Sequence, residues 1–206
     1  MDIDKVASIV HEQFQSRTYH NRPLLIGVDG LGGAGKTTFV EEVKRKLKEE
    51  HCLVEVIYLD DHIVEKEKRY DTGHPEWYEY VHLQWDSSEL VNCLFTPLHQ
   101  GNCLNLPFYD KVTDSITYKK MDVLANRIVL IEGIFLQRNE WRQFFDSVIF
   151  LNCPFEVRKE RVLTRDAYIG NDQERLKKYT ERYWPGEQHY LETIDPINRA
   201  DLVIHI

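Results

Sequence analysis

Apolar residues along the chain follow two rhythms: short unbroken runs, and faces spaced three or four residues apart. Over residues 4–16, Val6, Ile9, Val10 and Phe14 recur at helical spacing and predict an amphipathic helix. Residues 24–28 form a short apolar run suited to a buried strand, and a glycine-rich turn follows. Across residues 36–50, Phe39, Val40, Val43 and Leu47 line one face, which predicts a helix. Residues 53–59 are rich in β-branched side chains and predict a second strand, completing a strand–helix–strand unit.

The stretch 74–100 is mixed. Trp77, Tyr78, Val81, Leu83, Trp85, Leu90, Val91 and Leu94 predict helical segments under an aromatic surface. Residues 103–106 and 115–118 predict a small hairpin around 107–114. Residues 128–131 are the strongest apolar run and predict a central parallel strand; 148–151 predict another. Residues 155–166 and 173–183 predict helices, the second very polar, and 202–206 a last strand. The alternation predicts a single three-layer α/β domain over residues 1–206, with 1–22 as an N-terminal helix and lead-in.

Composition narrows the function classes. With 206 residues, 42% apolar and 29% charged, the chain can fill one core and is not of disordered type. The formal net charge of −8, with no Lys/Arg block, argues against a nucleic-acid partner. No apolar run approaches the roughly 18 residues a membrane span needs. Residues 1–5 are acidic rather than basic and apolar, so no signal peptide is expected and a cytoplasmic location is. Cys52, Cys93, Cys103 and Cys153 form no C-x-x-C pair, and the histidines show no H-E-x-x-H spacing. Buried or half-buried thiols in a reducing compartment are expected.

The chemistry concentrates in Gly30-Leu31-Gly32-Gly33-Ala34-Gly35-Lys36-Thr37, which fits G-x-x-x-x-G-K-[ST] between a predicted strand and a predicted helix. Glycines let successive backbone N–H groups turn toward one anion, and the following helix points its positive end at the same place. ATP–Mg²⁺ is the expected occupant, with Gly30, Gly32, Gly33, Ala34 and Gly35 forming the cradle. Lys36 reaches the β- and γ-phosphates, the Thr37 hydroxyl ligates Mg²⁺, and Thr38 offers a further hydroxyl.

Asp60 and Asp61 close the second predicted strand, where a parallel sheet collects its ligands. They are read either as a base and Mg²⁺ contact for a substrate hydroxyl or as turn-forming residues at a solvated strand end. Glu132 directly follows the strongest strand, where a charge calls for a partner or a metal. Mg²⁺ ordering is its expected role. Arg158, Arg161 and Arg165 share one helical face. They are read either as a solvated basic face paired with Glu156, Glu160 and Asp166, or as a lid closing on the transferred phosphoryl group.

From about residue 23 to 206 the chain resembles the uridine kinase/phosphoribulokinase family of P-loop kinases. The stretch Gly30 to Thr38 resembles that family's phosphate loop, and Leu59-Asp60-Asp61-His62 its D-x-F segment, with His62 in place of Phe. Tyr70-Asp71 with His74-Pro75-Glu76-Trp77-Tyr78 resembles F-D-x-P, and Leu106-Pro107-Phe108-Tyr109-Asp110 resembles P-x-Y-D. Glu132-Gly133-Ile134, the arginines before Asp166, and Ala200-Asp201-Leu202-Val203-Ile204 match further segments.

The resemblance implies a parallel five-stranded sheet and a helical lid with its flanking helices at about 155–190. It implies ATP-dependent phosphorylation of a small-molecule alcohol. Asp60 is then the catalytic base, Thr37, Glu132 and Asp60 are the metal contacts, and Lys36, Arg161 and Arg165 stabilise charge. Asp71, Tyr109 and Arg158 stand at the acceptor. Where uridine kinases carry an aromatic residue and a His that read the pyrimidine, this chain has Lys111 and Asp114. Tyr168-Ile169-Gly170 replaces the Arg-Gly pair usual in the lid. A nucleoside-type acceptor is the leading implication, with a pantothenate-like or sugar-phosphate alcohol next. A nucleotide-binding regulator is the alternative from another class. The oligomeric state is left open.

Overall fold

The structure is a computed structural model describing residues 3–206; Met1 and Asp2, included in the single-domain reading, lie outside the described residues. Helix α1 (Ile3–Ser16) packs Val6, Ala7 and Val10 toward α2 (Lys36–Glu49). Between them runs β1 (Leu24–Gly30), buried throughout. Helix α2 buries Phe39, Val40, Val43 and Leu47, the face read from the sequence.

Strand β2 (Val54–Tyr58) stops one residue earlier than expected, and residues Leu59–His62 form a 3-10 turn. The Trp85 indole donates to the Leu59 carbonyl at 2.9 Å, which holds the chain out of the strand ladder. The aromatic stretch folds into short helices: α3 (Lys66–Arg69), α4 (Glu76–Tyr78), α5 (Ser87–Leu90) and α6 (Thr96–Gln100). Wide turns at Glu79–Leu83 and Val91–Phe95 extend them.

The hairpin is longer than predicted, β3 (Leu104–Asp110) against β4 (Ser115–Met121). Pro107 sits inside β3 opposite Tyr118. A two-stranded ribbon has only edges, so the missing proline N–H breaks nothing. There follow β5 (Ile128–Glu132), α7 (Asn139–Arg142), β6 (Ser147–Asn152), α8 (Phe155–Arg165), α9 (Asp172–Lys178), α10 (Trp184–Ile194), α11 (Pro196–Arg199) and β7 (Leu202–His205). The predicted helix over 173–183 is α9 plus wide turns at Tyr179–Tyr183, and these run on into α10, which the flanking helices implied at about 155–190 cover only to residue 190.

The five long-range strands form one parallel sheet in the order β2-β5-β1-β6-β7. Alternate residues face opposite layers. Leu25, Val129, Ile131 and Phe150 join Trp85, Phe95, Phe135 and Trp141 on one side. Ile26, Val28, Leu130 and Leu151 join the α2 face and α1 on the other. This is the expected three-layer α/β fold. Its register sets Glu132 level with Val28 and with Tyr58. The loop leaving β1, the turn leaving β2 and the end of β5 therefore meet at the carboxyl edge of the sheet, where such folds bind ligands.

Candidate active site

The glycine loop connects β1 to α2 with Gly33 at φ 78° and Gly35 at φ 91°, conformations that side chains resist. Gly33 is fixed a second way: a Cβ there would lie 2.8 Å from Val162 Cγ1 and 2.9 Å from the Arg158 carbonyl oxygen. A cavity of about 950 Å³ opens over the loop, lined by Gly33, Ala34, Gly35, Lys36, Thr37 and Thr38 together with Arg161 and Arg165. Gly30 and Gly32 lie behind it. The Gly30 N–H donates to Asp29 Oδ1 at 2.8 Å, and the Gly32 N–H to Glu187 Oε1 at 2.8 Å.

Lys36 is more enclosed than a loop lysine read from sequence suggests. Its side chain is 12% exposed, with Nζ 3.3 Å from the Leu31 carbonyl and 3.9 Å from Glu132 Oε1. The Thr37 hydroxyl donates to Glu132 Oε2 at 3.2 Å. Glu132 is the last residue of β5 and is buried. Burial pushes its carboxyl above the ordinary range; the Lys36 charge and the Thr37 hydrogen bond oppose this, and Asp60 and Asp61 add to it.

Asp60 stands on the 3-10 turn, exposed to solvent on one side but crowded by protein elsewhere. That crowding raises its pKa; Lys36 and Arg165 pull it down, and Asp61 pushes it up. Asp61 also acts electrostatically on Glu132, but Lys36 and Arg165 reach Asp60. His62, in the place of the expected Phe, is buried, with its Nδ1 2.6 Å from the Pro107 carbonyl and its ring edge-on to Phe108. It ties the Asp60 turn to the hairpin.

The three arginines divide. Arg161 Nη1 donates to the Gly33 carbonyl at 3.2 Å. Arg165 forks onto buried Asp166 at 2.6 and 3.0 Å, and Tyr179 donates to the same carboxylate. Arg158, expected at the acceptor, is buried instead: Nη1 pairs with Glu187 Oε2 at 2.7 Å and donates to the Gly32 carbonyl at 3.1 Å. Its Nε donates to the Cys153 carbonyl just after β6 at 3.2 Å.

On the other side, Asp71 (φ 55°) borders a second cavity of about 660 Å³ with Lys66, Tyr70, His74, Glu76 and Lys178. Tyr109 does not line this cavity. Its hydroxyl donates to Asp114 Oδ1 at 2.9 Å and accepts from Arg69 Nη2 at 3.2 Å. The Arg69 guanidinium lies 4.8 Å from the Tyr70 ring and 5.2 Å from the Tyr109 ring. Lys111 is exposed at the hairpin turn. Among the described residues no cluster of His, Cys, Asp and Glu could hold a metal alone. No helix among them is long and apolar enough to cross a membrane. The four cysteines are free, and Cys103 is exposed rather than buried.

Sequence reasoning missed Asp29, Glu187 and Tyr190. Asp29 is fully buried; Tyr190 donates to its Oδ2 at 2.5 Å and Gln137 at 3.2 Å. The signal for α10 was present: Pro185 suits a first helical turn, and Tyr183, Tyr190, Leu191 and Ile194 follow at helical spacing.

A sequence model described as Phosphoribulokinase / Uridine kinase family matches residues 25–206. The chain belongs to this family. Members are phosphotransferases with an alcohol as acceptor, and the P-loop kinase fold implies ATP binding. The family member is 30% identical over 152 residues to a uridine kinase of Clostridium novyi, covering 70% of this chain and 69% of that one. It is 27% identical over 191 residues to a uridine kinase of Halalkalibacterium halodurans, covering 89% and 86%. A solved structure described as a possible uridine kinase from Bacillus stearothermophilus superposes with a TM-score of 0.80 at 37% identity, over 99% of this chain and 100% of that one.

Proposed function

We propose that this family member is a single-domain cytoplasmic kinase that passes the ATP γ-phosphoryl group to a hydroxyl of a nucleoside-type small molecule. The observation that carries this reading is the convergence of Lys36, the Thr37–Glu132 pair, Asp60 and Arg165 at one sheet edge. The uridine kinases among its relatives supply the acceptor class.

The oxygen donors Thr37, Glu132 and Asp60 fit Mg²⁺, which binds through few protein carboxylates plus substrate phosphates. Bound there, Mg²⁺ would neutralise phosphate charge. The chain supplies the rest. Loop N–H groups and Lys36 hold the phosphates, with Thr38 a further hydroxyl. Asp60 accepts the acceptor's hydroxyl proton, a task eased by a pKa raised above the carboxylate norm. Arg161 and Arg165 face the nucleotide cavity and counter charge on the transferred group. Asp71 and Tyr109 belong to the acceptor side.

A second reading, a different alcohol, is favoured by one feature. Lys111 and Asp114 stand where uridine kinases carry an aromatic residue and a His that read the pyrimidine, and Asp114 Oδ1 accepts from the Tyr109 hydroxyl and the Lys66 N–H. Measuring ADP release with ATP and a panel of nucleosides, pantothenate and sugar phosphates tests both. Turnover with nucleosides supports the first reading. Turnover confined to another alcohol supports the second, and none with any alcohol returns weight to a nucleotide-binding regulator.

A further inference from the structure

Helix α10 is wedged against the acceptor-side helices. A Cβ at Gly186 would lie 2.9 Å from the Tyr80 ring and 3.1 Å from Val81, so only glycine lets the helix approach this closely. The next residue, Glu187, then reaches the back of the phosphate loop. Its side chain is 3% exposed and that of Arg158 is 6% exposed. Both carboxylate oxygens are used, one by the Gly32 N–H at 2.8 Å and one by Arg158 Nη1 at 2.7 Å. The same Arg158 nitrogen donates to the Gly32 carbonyl at 3.1 Å. A single glycine is thus gripped by both of its backbone polar groups, from two different helices. One helical turn on, Tyr190 bonds Asp29, which holds the Gly30 N–H.

A buried ion pair is a poor way to gain stability, because apolar side chains of similar volume often do as well or better. What this one provides is orientation. In a trans peptide the carbonyl and the following N–H point in opposite directions. Arg158 draws the Gly32 carbonyl to the rear, so the Gly33 N–H is turned forward, and Gly33 lines the nucleotide cavity. Glycine loses the most conformational freedom on ordering, so an unbraced glycine loop would have to be ordered by the ligand itself.

We infer that Glu187 and Arg158 are positioning residues that hold the phosphate loop in its anion-binding conformation before nucleotide arrives. The inference rests on the reading of Gly33–Thr38 as the nucleotide site. Neither residue touches the phosphates in this assignment; both act through the Gly32 backbone.

The test compares wild type with Glu187→Gln and Glu187→Ala. ADP binding is measured by calorimetry, the fold by thermal unfolding without ligand, and the Gly32 and Gly33 amides by NMR. The glutamine variant has one acceptor oxygen where two are used. Losing a charge-assisted hydrogen bond that orders the loop should lower ADP affinity about tenfold or more in both variants. KM for ATP should rise with KM for the acceptor nearly unchanged, and the Gly32 amide resonance should move most. The melting temperature of Glu187→Gln should fall, because Arg158 loses its buried counter-charge, but by less than that of Glu187→Ala, and its unfolding should stay cooperative and above the assay temperature. If that variant is well folded and binds ADP as tightly as wild type, or leaves the Gly32 and Gly33 amides unmoved, the inference is overturned. If Glu187→Ala fails to fold, the glutamine variant alone decides. Failure of the wild type to bind ADP would instead overturn the reading of the nucleotide site.

Discussion

Replacing Asp60 by Asn should separate nucleotide binding from phosphoryl transfer. Asn keeps the size of the carboxylate and part of its hydrogen bonding, but it cannot accept a proton near neutral pH. The loop's hydrogen bonds run through Asp29, Glu132, Glu187 and Arg158 rather than Asp60, so ATP affinity should change by only a few-fold. Transfer should fall by roughly 10²–10⁴, the range for a positioned general base, or about 2.7–5.4 kcal/mol of barrier at 1.36 kcal/mol per decade. The wild type should also lose kcat/KM as pH falls through the Asp60 pKa, because protonation removes the base. That loss should begin above the ordinary carboxylate range, since crowding by the surrounding protein outweighs Lys36 and Arg165 there. In Asp60→Asn the acid limb belonging to Asp60 should vanish. Asp61→Asn should be milder, because Lys36 and Arg165 reach Asp60 rather than its neighbour. Single-turnover transfer beside calorimetric ATP titration checks each point. Full transfer in Asp60→Asn with loss in Asp61→Asn would refute the choice of carboxylate.

Lys36→Ala should lower turnover by about 10²–10³ through loss of a preorganised charge while circular dichroism stays native; near-normal turnover would undo the loop assignment. Across a panel of alcohols, uridine should show a weak advantage or none, because Lys111 and Asp114 replace the aromatic residue and the His that read the pyrimidine in uridine kinases; a kcat/KM for uridine far above every other alcohol would contradict this. Glu79→Ala should destabilise the fold by roughly 3–5 kcal/mol in urea titration. It strands Arg182, whose side chain is 0% exposed and 3.0 Å from Glu79; a loss below about 1 kcal/mol would show that the pair is not structural.

The parts legible in the sequence are those written by local rules. Val28, Gly33, Lys36 and Phe39 fall within a few residues of one another, so period, glycine content and helix start can be read together. Strands β1, β5 and β6 were visible because they are buried on both faces and read as unbroken apolar runs. The end of β2 was misread because the Trp85 indole, 26 residues along, takes the Leu59 carbonyl. Arg158 was misread for a similar reason. Helical spacing says that Arg158, Arg161 and Arg165 share a side, but not what packs there. Glu187 turns Arg158 into a buried brace, and Asp166 seats Arg165 beside the cavity. Helix α10 was implied by resemblance rather than read from its own spacing, because its apolar face is broken by Glu187 and Gly186, the residues that the loop and Tyr80 require.

That pattern has a physical basis. Phosphoryl transfer asks a protein for little covalent chemistry and much positioning. The groups that meet the phosphates can therefore sit in one short segment, while the groups that hold this segment still must come from elsewhere in the fold. Here Asp29 is braced by Tyr190 and Gln137, Gly32 by Glu187 and Arg158, and the Asp60 turn by Trp85 and His62. Each brace is a polar side chain in a place where burial alone would favour an apolar one, and each ends on backbone or on a carboxylate that itself holds backbone. An apolar side chain of equal volume could fill these spaces, but it could not set the direction of an N–H or a carbonyl. The polar residues buried behind the loop are thus explained by orientation rather than by net stability.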